Sequence, residues 1–236
     1  MKPGLATLRA VPMFERLDAD LLGRLNDLTE LVQVAPGTEL CRQGEIPERL
    51  HILLDGQVAL SGTAPDGTSA VVEVLHPVAH FVLAAVLTQL PYLMSARAVM
   101  PSRLLLLDAA GLRALLEQAP SLAVALMRAE AHDFRAMVRQ VRDLKLRSAA
   151  QRLGCYLLAL VKDPVARAAD LRLPFDKGLL AARLGCRQEN LSRAFAALRE
   201  HGVETHGARV RLHDIARLKA FAVPDDLVDT PDTTGR

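Results

Sequence analysis

From Leu31 to Leu107 glycine cuts the chain before any apolar run grows long. Leu31–Val34, Leu50–Leu54, Val58–Leu60 and Val71–Leu75 are separated by Pro36-Gly37, Gly44, Asp55-Gly56 and Asp66-Gly67. Such runs are too short for a helical face. They suit strands of about four to eight residues closed by turns. Asp66-Gly67 lies between two strand-like runs and marks a hairpin, because glycine tolerates the positive φ that the turn needs. The pattern predicts a small all-β sandwich or roll, with Arg103–Leu107 in its last strand.

Helical periods flank this region. Leu17, Leu21, Leu22, Leu25 and Leu28 recur at spacings of three and four, and predict short helices over 5–30. Leu112, Leu115 and Leu116 form another helix, which Ala119-Pro120-Ser121 ends. Ser121 is the expected cap of a long helix that follows. On that helix Met127, Phe134 and Val141 repeat every seventh residue, with Met137 and Leu144 as companions. This a/d seam, flanked by Arg135, Arg139, Arg142 and Asp143, is the expected homodimer interface. The other reading is a single helix packed on its own domain.

Half of the 236 residues are apolar and 24% are charged, which excludes a disordered chain. No apolar run approaches the ~18 residues of a membrane span, so no membrane association is expected. Met1-Lys2-Pro3-Gly4-Leu5 lacks a signal-peptide core, and Cys41, Cys155 and Cys186 form no paired spacing. Both features fit a cytoplasmic protein. No nucleophile–base arrangement or phosphate loop is present, so an enzyme is not expected. Charge is uneven. Residues 1–118 carry nine basic and thirteen acidic side chains, whereas 139–219 carry seventeen and eight. A basic half suggests a polyanion partner.

The segment Leu180–Arg193 supplies the means to bind one. A helix ends at Gly185, which accepts a left-handed turn, and a second begins about three residues later. Ala181 is small where two helices approach, and Leu184, Leu191, Phe195 and Leu198 provide the apolar contacts. This is a helix-turn-helix pattern. Its second helix opens with Arg187, Gln188, Glu189, Ser192 and Arg193, where a recognition helix meets base edges. Arg193 suits a bidentate pair to guanine, Glu189 accepts from the paired cytosine, and Ser192 reaches a thymine methyl or a base edge. The plain alternative is a Glu189–Arg193 surface ion pair. Val203–Leu212, turning at His206-Gly207, reads as a wing whose Arg209 and Arg211 meet phosphates.

With the glycine ladder, the long helix and Glu189-x-x-Ser192-Arg193 in view, residues 12–222 resemble the CRP/FNR family of dimeric bacterial transcription regulators. The resemblance implies double-stranded DNA with palindromic TTGAT-like half-sites, RNA polymerase as a partner, and activation. Glu204 departs from the family, which carries an apolar residue there. Val138–Leu160, which contains Arg142–Leu158, is similar to the nitric-oxide-responsive NNR/NnrR/DNR-type branch, which implies control of denitrification or nitrogen-oxide genes.

Family members use the β-roll for an effector. Cyclic-nucleotide binders open a short helix with Gly-Glu, followed by an Arg and a small residue. Here Leu83-Ala84 and Tyr92-Leu93 stand near those places, and an anion buried without donors is costly. With no cysteine before Cys41, the family's N-terminal iron–sulfur cluster is not expected. His76, His80, Phe81, Leu83, Leu87, Tyr92 and Met94 form an apolar effector segment. It is either filled core or a pocket for a flat cofactor such as haem b, with His76 or His80 as the iron ligand.

The expected protein is α+β: a cyclic-nucleotide-binding-like β-roll (1–118), a dimerisation helix (119–147) and a winged helix-turn-helix (148–223). Residues 224–236 are expected to be a disordered tail.

Overall fold

The computed structural model describes residues 1–163, 165–173 and 177–229. It divides into two compact units that meet within one helix, at Phe134/Arg135.

The first unit opens with α1 (Leu5–Arg9), a 3-10 turn at Pro12–Phe14 and α2 (Ala19–Leu28). Asp18 caps α2 by accepting from the Leu21 amide at 2.8 Å. Strands follow: β1 (Thr29–Val34), β2 (Glu39–Cys41), β3 (Arg49–Asp55), β4 (Val58–Thr63), β5 (Ser69–Leu75) and β6 (Ala79–Phe81). After α3 (Leu83–Thr88) come β7 (Ser95–Ala98), β8 (Ser102–Asp108) and α4 (Ala109–Gln118). They form two antiparallel sheets, ordered β1-β8-β3-β6 and β2-β7-β4-β5. The β4–β5 hairpin turns at Asp66-Gly67, with Gly67 at φ +83°.

The leucine run of β8 shows why one sheet is buried on both faces. Leu104 packs with Leu53, Val58 and Leu60 between the sheets. Leu105 and Leu107 face the other way, onto Phe14, Leu22, Leu25 and Leu112 of the helices. A strand with two buried faces loses the alternation of a half-exposed one.

The long helix α5 runs from Pro120 to Leu146. Ser121 does not cap it. Pro120 occupies the first turn, and the Ala119 carbonyl accepts from the Leu122 and Ala123 amides at 3.0 and 3.2 Å. Proline's preset φ and missing donor suit that place, which moves the cap position back to Ala119. Leu122 and Leu126 join the core of the first unit, while the helix from Arg135 belongs to the second unit.

The second unit continues with α6 (Ala149–Ala159), β9 (Ala169–Arg172), α7 (Lys177–Arg183), α8 (Gln188–Arg199), β10 (Val203–His206), β11 (Arg209–Leu212), α9 (Ile215–Ala222) and α10 (Asp226–Asp229). Ser148 and Gln151 form a capping box at α6. The sequence pattern shows β10 and β11 but misses β9, which joins them in the order β10-β11-β9. It also misses α9. Leu218 and Ala222 of α9 close on α6, where a Cβ at Gly154 would stand 2.9 Å from the Ala222 methyl.

The expectation of a disordered tail is corrected for residues 224–229. Asp225 pairs with Arg142 at 2.5 Å, and both Asp229 carboxylate oxygens lie 2.8 Å from Arg147. Residues 230–236 of that expectation lie outside the described residues. Burial alone would raise the Asp229 carboxyl, but hydrogen bonds from Arg147 and the Asp225 amide outweigh it and hold the group below its usual range. Because the folded value is depressed, the stabilisation is complete above the ordinary carboxylate value of about 3.9. It is lost as pH falls through the folded value. The hydrogen-exchange protection factors at 225–229, which correct for the intrinsic pH dependence of exchange, are therefore expected to stay unchanged from pH 7 to about pH 5 and to fall only below about pH 4.

Candidate nucleic-acid interface

The turn between α7 and α8 is a Schellman motif. Gly185 adopts φ +59°, its amide donates to Ala182 O at 2.9 Å, and the Cys186 amide donates to Ala181 O at 2.9 Å. Gly185 is needed twice over, since a Cβ there would also stand 2.4 Å from Leu144 Cδ2. Arg152, 8% exposed, donates from Nε to Leu184 O at 2.9 Å and ties α6 to the same turn.

Helix α8 has two distinct faces. Leu191, Ala194, Phe195 and Leu198 are buried against Leu153, Leu157, Leu180 and Ala181. Gln188, Glu189, Ser192 and Arg193 are exposed on the opposite side, and Arg187 is exposed at the N-cap position. The predicted reading residues therefore come together on one open face. Arg209 is exposed on β11, and Arg211 lies 3.7 Å from Asp170 of β9. The departure at Glu204 leaves the wing intact. Val203 takes the buried place at 2% exposure, while the Glu204 carboxylate turns out between His206 and His213, at 2.9 and 2.8 Å. Hydrogen bonds from the two imidazoles hold the Glu204 carboxyl below its usual range.

On α5, Met127, Phe134, Met137 and Val141 are all exposed, joined by Val124 and Val138. Leu144 is 40% exposed and turns partly toward Gly185, so it also serves the helix-turn-helix.

The effector segment is divided between two cores. Phe81 and Tyr92 pack between the sheets with Met94 at the edge, and Leu83 and Val86 face the helices with Leu87 beside them. His80 Nε2 lies 2.9 Å from an Asp133 carboxylate oxygen on α5, and His76 follows β5 half-buried. These residues, as folded, do not fit a haem, whose iron needs an imidazole aimed into an apolar slot. They fit a cyclic phosphate no better. The first turn of α3 reads Leu83-Ala84-Ala85, and Arg97 is 58% exposed on β7, bonded to Gly37 O and Glu39 at 2.9 and 3.2 Å.

Sequence reading missed His51. Its ring stacks on Phe81 with centroids 5.0 Å apart, and burial lowers its pKa to about 4, so it is a neutral core imidazole. Burial likewise pushes Cys41 and Cys155 up to about 11, which keeps both thiols unreactive near neutrality.

A β-roll, a long helix with an exposed apolar stripe and a winged helix-turn-helix together are the parts of a DNA-binding regulator. Residues 31–119 match the cyclic nucleotide-binding domain family, and residues 151–221 match the Crp-like helix-turn-helix domain. A candidate cyclic-nucleotide-binding protein from Ruegeria pomeroyi DSS-3 is similar at 30% identity and a TM-score of 0.59, over 94% of this chain and 97% of its own. DNR from Pseudomonas aeruginosa is 28% identical with a TM-score of 0.50, over 94% and 98%. The CRP-like cAMP-activated global transcriptional regulator of Mycobacterium tuberculosis is 23% identical over 210 residues, 87% of this chain and 94% of that protein. The chain belongs to the CRP/FNR family, and it is a DNA-binding transcription regulator rather than an enzyme. Among the described residues no helix is long and apolar enough to cross a membrane.

Gly185→Ala is expected to destabilise the second unit by more than the cost of a left-handed alanine, about 1–2 kcal/mol, because its Cβ would also meet Leu144. Adding Leu144→Ala removes the steric conflict but not that strain, so chemical denaturation of the double variant should recover only part of the loss.

Proposed function

We propose that the protein is a homodimeric transcription activator that reads a palindromic TTGAT-like operator and controls denitrification or nitrogen-oxide genes in response to nitric oxide. The observation that carries the DNA reading is the single open face of α8, where Glu189, Ser192 and Arg193 stand beside Arg187 and Gln188. A carboxylate on a face that approaches phosphates is unfavourable unless it accepts from a base, and cytosine N4 paired to the guanine of Arg193 supplies the donor. Dimerisation along Met127, Phe134, Met137 and Val141 buries a stripe that is otherwise in water, with Met127 and Phe134 each 64% exposed. Two copies then present two copies of α8, as a palindrome requires. RNA polymerase is the partner that activation requires.

Arg193→Ala is expected to cost about 1–3 kcal/mol of operator binding and to relax selection at the guanine. Titration of fluorescent duplexes with each base at that position measures both effects. Equal binding of cognate and scrambled duplexes by the parent protein would sink the reading.

The nitric oxide response is supported by the resemblance over Val138–Leu160 and by the missing phosphate cassette. A cyclic nucleotide is the second reading, favoured by the match of residues 31–119 to nucleotide-binding domains. Anaerobic operator titrations with nitric oxide alone, haemin followed by nitric oxide, and cyclic AMP separate them. Operator affinity that rises only with nitric oxide is expected. A saturable Soret band would show that the effector segment opens to take haem, and a rise with cyclic AMP would replace the nitric oxide reading.

A further inference from the structure

The junction of α5 and α6 is held by more contacts than a passive connector needs. Arg147 is the first residue past α5, and its side chain is only 9% exposed. Its Nη1 lies 3.0 Å from Asp143 Oδ1 and 2.8 Å from Asp229 Oδ1, while Nη2 donates to Asp229 Oδ2 at 2.8 Å and to Val223 O at 3.1 Å. The guanidinium thus joins the last turn of α5 to the segment that leaves α9. One turn earlier Arg142 reaches Asp225 at 2.5 Å, and the Asp225 amide donates to Asp229 Oδ2 at 2.7 Å. The backbone carries the connection onward. The Arg147 carbonyl accepts from Arg152 Nη1 at 2.7 Å, and Arg152 Nε donates to Leu184 O at 2.9 Å. Leu184 directly precedes the Gly185 turn, against which Leu144 of α5 also packs.

We infer that residues 223–229 form a clamp that fixes the angle between the end of α5 and the helix-turn-helix, so that Asp229 is a positioning residue for operator half-site spacing. The inference rests on the DNA reading above and goes beyond it. In a dimer joined along α5, the tilt of α8 relative to that helix sets the separation and rotation of the two recognition helices. Each base pair added between half-sites rotates one against the other by about a tenth of a turn. A stiff junction therefore rejects wrong spacers, and a loose one accepts them. A bidentate Arg–carboxylate pair suits this role because its geometry is planar and directional, and partial burial limits its screening by salt.

The test uses the full chain, Asp229→Asn, and Asp229→Glu as the variant that keeps the charge. Operator duplexes carry TTGAT and ATCAA separated by four, five or six base pairs. The parent should prefer one spacer by about tenfold or more, about 1.4 kcal/mol. Asp229→Asn should flatten that preference mainly by gaining affinity for the disfavoured spacers, and Asp229→Glu should restore part of it. Hydrogen exchange should quicken at 148–152 and at 184–186 in Asp229→Asn, with dimer mass and far-UV circular dichroism unchanged. An equal loss of affinity on all three spacers, or unchanged exchange at 184–186, would overturn the clamp while leaving the DNA reading in place. A parent that prefers no TTGAT duplex over scrambled DNA would overturn the DNA reading and the spacing role with it.

Discussion

The left-handed turn at Gly185 is the constraint on which the functional half of the molecule depends. Its two backbone bonds end α7 and set the direction in which α8 leaves. Because no Cβ is present, Leu144 can lie against the turn, and because Leu184 O faces inward, Arg152 can reach it. Three elements distant in sequence therefore converge on one residue pair. The open face of α8 follows from this: once Leu191, Ala194, Phe195 and Leu198 are buried, helical geometry places Glu189, Ser192 and Arg193 in solvent.

A different principle organises the first unit. The sheet containing β3 and β8 is covered on both faces, so its leucines fill two cores at once. The effector segment is part of this arrangement. Phe81 and Tyr92 complete one core, and Leu83 and Val86 complete the other, which turns an apolar stretch into packing rather than a lined pocket. His80 Nε2 lies 2.9 Å from an Asp133 carboxylate oxygen on α5, so strand β6 meets the long helix at that point.

Charge acts most strongly where it is partly withdrawn from water. Exposed pairs such as Arg211–Asp170, at 3.7 Å, contribute little. Arg147 is sheltered and has three oxygen-bearing partners on two chain segments, which makes it directional as well as attractive.

The order of elements was legible in the sequence because it depends on local periodicity and turn chemistry. Glycine-broken runs became strands, the Asp66-Gly67 hairpin formed as expected, and Glu189, Ser192 and Arg193 share the face that a period of 3.6 assigns them. Where sequence reasoning failed, the deciding interaction was distant. β9 is only four residues long, too short for the alternation of Ala169 and Leu171 with Asp170 and Arg172 to stand out, and it becomes a strand because β11 offers an edge. Residues 224–229 look like a polar tail until Asp225 and Asp229 meet Arg142 and Arg147, more than eighty positions earlier. Ser121 lost the cap because Pro120 was better suited to the first turn. The sequence by itself determined the class of the protein and the residues that share the open face of α8, since both follow from neighbours within a few turns. Only the tertiary structure decided that the effector segment is packed core and that Asp225 and Asp229 meet Arg142 and Arg147. Burial and ion pairing depend on which distant surfaces the fold brings together.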